Sequence, residues 1–215
     1  MTLSVPSAPT PSKKPSGSYN YDRFIAHVHK LCESNGTRAA LRRGLGLPVE
    51  RCNYLHRYLV PWAPEHPDAK QACYAVATLI AARPRTVRNA DAEQAARGDG
   101  AVNWGARANL GAALGQAVTK GVLKPATAES ALHLMSRQST EAIHPSLPAL
   151  TRQLLNGGIP VDWAVLQRDL AWWNRDRDRI ATRWFESYFR VTSAEQAADD
   201  DTRPENPAVN EENNA

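Results

Sequence analysis

Apolar residues recur every three to four positions in segment after segment of this chain, and no stretch sustains the apolar–polar alternation of a half-buried strand. That period predicts an all-α fold. A stripe of Phe24, Val28, Leu31 and Cys32 marks a first helix over residues 20–33, with Asn35 and Gly36 as its expected stop. A short second helix follows from Thr37, with Leu41 and Leu45 facing inward while Arg38, Arg42 and Arg43 share one exposed edge. Tyr54, Leu55, Tyr58 and Leu59 predict a helix over 50–60 that Pro61 stops. Ala72, Val76, Leu79 and Ile80 predict another over 68–83, stopped by Pro84.

Residues 85–103 are polar, carry Gly98 and Gly100, and read as a long mobile connection. Beyond it, Leu110, Leu114, Ala117 and Val118 outline a helix ended by Gly121. Further helices are expected over 126–138 and 146–156, the latter closed by Gly157 and Gly158. Asp162 stands where an N-cap belongs, ahead of Trp163, Leu166, Leu170 and Trp173, and a last helix over 177–190 would pack Ile180, Trp184, Tyr188 and Phe189. The expected architecture is two small helical bundles packed in one compact chain, over residues 19–84 and 104–194. Residues 1–18, rich in Pro and Ser, and the acidic 195–215 lack the apolar content to offset their ordering entropy and read as disordered.

Charge is distributed unevenly. The segment after Ala194 holds seven acids against one arginine, so a formal net charge of +4 over 215 residues conceals +10 on residues 1–194. A body so basic attracts polyanions over about a Debye length, nucleic acid first among them, although a basic surface also serves solubility. The acidic tail could compete for the same basic face. The three cysteines, Cys32, Cys52 and Cys73, form no Cys-x-x-Cys pair. Neither a disulfide framework nor a zinc site is expected from them, and a reducing cytoplasm fits best. No apolar run approaches the ~18 residues of a membrane span, and residues 1–18 lack the pattern of an export signal.

Catalytic chemistry finds little footing in the residues. Asp162, Asp169 and Asp176 recur every seven residues and could in principle hold Mg²⁺ from one helix face. The simpler reading makes Asp162 a cap and leaves the other two in solvated pairs with Arg168, Arg175 and Arg177. His27 and His29 point to different faces, and neither a nucleophile arrangement nor a phosphate-binding glycine loop is visible. No enzyme, cofactor or metal is called for. Trp163, Trp172, Trp173 and Trp184 could offer a stacking platform, but their helical spacing suits core contacts better. Trp172, adjacent to Trp173 and so on another face, is the ring expected outside. Arginines and lysines on separate helices carry more information: Arg38, Arg42 and Arg43, then Arg107 and Lys120, then Arg137 and Arg152. Guanidiniums fork onto phosphate oxygens without reading base identity, so such a set suits salt-sensitive, sequence-tolerant binding; scattered solubilising arginines are the alternative.

The segment Ile159 to Asn174 (IPVDWAVLQRDLAWWN), followed by an aromatic-rich terminal helix, closely resembles the C-terminal signature of the CasB family, the small subunit of the type I-E CRISPR surveillance complex Cascade. Residues 40–43 (ALRR), 109–114 (NLGAAL) and 150–155 (LTRQLL) fall in the family's order, and the likeness covers roughly residues 19–191. The resemblance implies an all-helical, non-enzymatic subunit. Two copies would pair head-to-tail beside the guide-RNA backbone subunits and the large subunit, supporting the guide–target heteroduplex and the displaced strand. It makes Arg42 and Arg43 the leading candidates for a nucleic-acid surface, with Arg137 and Arg152 next; Arg38 joins them as a candidate from its place on the same helix edge. Ala112, Glu129 and Ser130 stand where family members often carry basic residues. The rival reading is a stand-alone nucleic-acid-binding module; a Mg²⁺-dependent nuclease is a third.

Overall fold

The computed structural model describes residues 19–84 and 104–201, with side chains through Glu195. The N-terminal segment 1–18, the connection 85–103 and the end of the acidic tail lie outside the described residues. Every regular element in the described residues is helical.

Helix α1 (Tyr21–Leu31) begins where Asn20 accepts the Arg23 N–H, and it buries Phe24, Ile25 and Val28. Helix α2 (Asn35–Arg43) starts at a Ser34 cap. Asn35 and Gly36, expected to end α1, therefore open α2 instead, because Ser34 can receive a free N–H and Gly36 needs no left-handed backbone there. The helix expected over 50–60 is broken into two 3-10 turns, Val49–Arg51 and Asn53–Leu55, and the single α turn α3 (His56–Leu59). Helix α4 (Pro67–Ala82) opens on Pro67, whose missing N–H costs nothing in a first turn, and its apolar residues are buried almost all round. It is the central strut.

After a 3-10 turn at Trp104–Ala106 come α5 (Leu110–Thr119), capped by Asn109, and α6 (Pro125–Ser136). Helix α7 (Thr140–Asn156) starts six residues before the expected 146 and runs through Pro145 and Pro148. Each proline forfeits one helical bond, so a start beyond Pro145 was the natural expectation. Burial of Ile143, His144, Leu147 and Leu154 holds the turn regardless.

The helical run Trp163–Asp201 is interrupted at Asp176 (φ −128°, ψ 27°). Residues 163–175 are termed α8 and residues 177–201 α9. In a straight helix Asp169 and Trp184 would stand about 22 Å apart, yet Trp184 Nε1 donates to Asp169 Oδ2 at 2.7 Å. The chain thus doubles back at Asp176, separating the two helices expected from the sequence. Helix α8 lies on α4 and α1, with Gln167 Nε2 on Cys73 Sγ at 3.0 Å and Trp172 Nε1 on the Tyr21 hydroxyl at 3.2 Å. Helix α9 lies on α5, where Asn109 donates to the Arg183 carbonyl and the Ser187 hydroxyl. It continues through Asp201, past residue 194 where the tail was expected to begin. Residues 195–201 contain neither Pro nor Gly, so nothing local stops the helix.

Buried residues from both halves of the chain form one continuous cluster, from Phe24 through Ile80 and Leu114 to Trp184 and Tyr188. Trp163, Trp173 and Trp184 are core residues; Phe189, expected to pack inward, is half-exposed.

Candidate nucleic-acid interface

Helix α2 presents Arg42 and Arg43 in its last turn, both exposed, where their charge also suits the negative end of the helix dipole. Among the described residues neither is paired with a carboxylate; Arg43 lies over the Tyr54 ring, 5.5 Å from its centroid. Arg38 differs from them. Its guanidinium turns inward to the end of α4, donating from Nε to the Ala81 carbonyl at 3.3 Å and from Nη2 to the Arg83 carbonyl at 3.2 Å. It satisfies carbonyls that a helix end leaves orphaned.

The loop after α2 reaches α7. Gly46 takes a left-handed backbone (φ +73°), and Pro148 Cγ lies 3.9 Å from where a Cβ would stand on it. Arg152, exposed, follows Pro148 by one helical turn and shares its face. The α2–α7 contact thus falls three residues after Arg43 and one helical turn before Arg152. Arg137 is the exposed C-cap of α6, and the carbonyl of the next residue, Gln138, accepts the Trp173 indole N–H at 3.0 Å, beside the α8–α9 reversal.

Arg107 is not a surface cation. Its guanidinium forks onto both Asp162 carboxylate oxygens at 2.7 and 2.8 Å and donates to Asp22 at 2.9 Å. Burial works against its charge, but the bonds to Asp22 and Asp162 outweigh that and raise its pKa. Asp162 also accepts the Ala164 and Val165 N–H groups, as a cap should, so Arg107 and Asp162 together tie α8 and the segment before α5 to α1, which Arg107 reaches through Asp22.

Asp169, expected in a solvated pair, is buried. It accepts from Trp184 Nε1 and, at 2.9 Å, from Arg183 Nη2; burial pushes its carboxyl pKa up while those two donors pull it down. With Asp162 capping, Asp169 in the core and Asp176 at a chain reversal, the sevenfold spacing does not place three carboxylates on one helix face. Trp172 is 41% exposed, as its place beside Trp173 predicts. Arg175 lies over its ring at 5.0 Å. Trp104 had no signal in the sequence, and Arg168 was expected only in a solvated ion pair: the Trp104 ring lies 5.7 Å from the Tyr21 ring and carries the Arg168 guanidinium at 5.3 Å.

Residues 37–189 match the family model of the CRISPR-associated protein Cse2. The chain belongs to that family, the CasB small subunits of type I-E systems. Two solved chains similar to this Cse2-family member come from a CRISPR RNA-guided surveillance complex and from a CRISPR RNA-guided surveillance complex described as pre-nicking. They are 34% and 35% identical to it, each with a TM-score of 0.71 over 83% of this chain and 96% and 97% of their own. The crystal structure of M. ruber CasB, 20% identical, shares the fold at a TM-score of 0.66, over 84% of this chain and 99% of its own. No curated protein matches significantly. The four segments that carry the resemblance also have structural roles here: the Asp162 cap with the α8 rings, the α2 arginines, the α5 glycine face and the α7 turn bearing Arg152.

Proposed function

We propose that this chain is the small subunit of a type I-E CRISPR surveillance complex and that it acts by electrostatic positioning rather than by chemistry. In the cytoplasm, paired with a second copy and seated beside the guide-RNA backbone subunits and the large subunit, it supports the guide–target heteroduplex and the displaced strand. The family model over residues 37–189 and the two surveillance-complex chains support the assembly role. The observation that carries the mechanism is the exposed Arg42–Arg43 pair, unpaired with acids among the described residues. Base pairing reads sequence in such a complex, so the protein need only supply positive charge along a backbone, and guanidiniums without groove-reading geometry do that. Arg38 contributes indirectly, by anchoring α2 to the end of α4.

The test replaces Arg42 and Arg43 by Glu in the assembled complex and follows target-DNA affinity against salt. Loss of two phosphate contacts should flatten the slope of log K against log salt by about 1.4 to 1.8, with the particle still intact on gel filtration. An unaltered slope in an intact particle would exclude the role. An unaltered chain that, co-expressed with guide RNA and backbone subunits, stays a free monomer and binds DNA tightly would favour the stand-alone module.

A further inference from the structure

Five side chains from three distant parts of the sequence form a ladder on the α1–α8 side of the molecule. Arg168 lies over Trp104 at 5.3 Å, Trp104 meets Tyr21 at 5.7 Å, the Tyr21 hydroxyl accepts the Trp172 indole N–H at 3.2 Å, and Arg175 lies over Trp172 at 5.0 Å. The ladder opens at Arg175 onto a cleft of about 390 Å³ at the α8–α9 reversal, which Arg177 and Arg179 also line. Asp176 and Asp178 share that cleft and leave it one positive charge in surplus.

We infer that this ladder is a stacking site for the unpaired bases of a single-stranded nucleic acid, with Trp172 as its platform and the arginines of the adjoining cleft taking backbone phosphates. The Trp172 indole N–H is already satisfied by Tyr21, so the exposed part of the residue offers ring surface and not a donor. Every base has a π-face, which a duplex hides and a single strand presents to aromatic rings and guanidinium planes. Single-strand sites combine a cationic groove with such rings, whereas protein–protein interface cores are depleted in charge. The inference takes from the proposed function only the class of ligand. It shares no residue with the α2 arginines, and its test needs no assembled complex.

The experiment uses the full chain and fluorescently labelled oligo-dA, oligo-rA and blunt duplex DNA at low salt. The wild type should bind both single strands more tightly than the duplex, and a preference between the two would name the strand. Trp172→Ala should lower single-strand affinity about five- to a hundredfold, the range of one lost base stack, without changing the salt slope; Trp172→Phe should restore most of it. Arg42→Glu with Arg43→Glu should flatten the slope instead. If that charge reversal changes nothing while the Trp172 effect persists, the electrostatic role falls and the stacking site stands. No single-strand binding by the wild type, or Trp172→Ala binding as the wild type does, overturns the inference. Trp172→Ala that loses only self-association on sedimentation overturns it too, and assigns the ladder to a second copy of the chain.

Discussion

Arg107 and Arg42 are the same residue type with opposite fates, and the difference lies in which acids the fold brings near them. Asp22 and Asp162 stand 85 and 55 residues from Arg107 in sequence, so no local pattern marks it as internal. Arg107→Ala would leave two largely buried carboxylates uncompensated and should cost about 3–5 kcal/mol of stability, read as a lower urea midpoint. Arg107→Lys should recover only part of that, because an ammonium cannot fork onto both Asp162 oxygens. Asp162 itself was legible, since a cap works through N–H groups two and three residues ahead. Asp169 was not, because its donors Arg183 and Trp184 reach it only after the chain reverses.

Helices that pack through one face were readable from period and punctuation; those whose backbone meets another helix were readable only in part. Helix α5 approaches α9 so closely that a Cβ on Gly111 would come within 1.8 Å of the Trp184 carbonyl oxygen, and one on Gly115 within 2.9 Å of Val191 Cβ. By helix propensity alone Gly111→Ala should gain about 1 kcal/mol. The clash with rigid backbone should reverse that sign, giving a net loss of about 2 kcal/mol or more on denaturant unfolding, and Gly115→Ala should suffer less because its contacts with Val191 Cβ at 2.9 Å and the Tyr188 carbonyl oxygen at 3.0 Å are less severe. A Gly111→Ala protein as stable as the parent would show that the two helices separate freely. The predicted α3 failed for the complementary reason. Its Tyr54, Leu55, Tyr58 and Leu59 have helical spacing, but Leu55 and Leu59 are buried while Tyr54 is exposed, so a 3-10 turn ending at Leu55 and an α turn ending at Leu59 bury the leucines as well as one helix would.

The molecule's core joins the two halves read from the sequence, with α8 on α4 and α9 on α5. Far-UV circular dichroism and tryptophan fluorescence should therefore report one coincident unfolding transition. Two separated transitions would mean that residues 19–84 and 104–194 unfold as independent bundles. Helix content, most helix ends, the Asp162 cap and the internal place of the tryptophans at helical spacing were all settled along the chain, because hydrogen bonds within a helix and side chains one turn apart are local. The partner of Arg107, the burial of Asp169, the inward turn of Arg38 and the ladder from Trp104 to Arg175 came from folding, because charge pairing and ring contact act over a few ångströms in space whatever the separation along the chain.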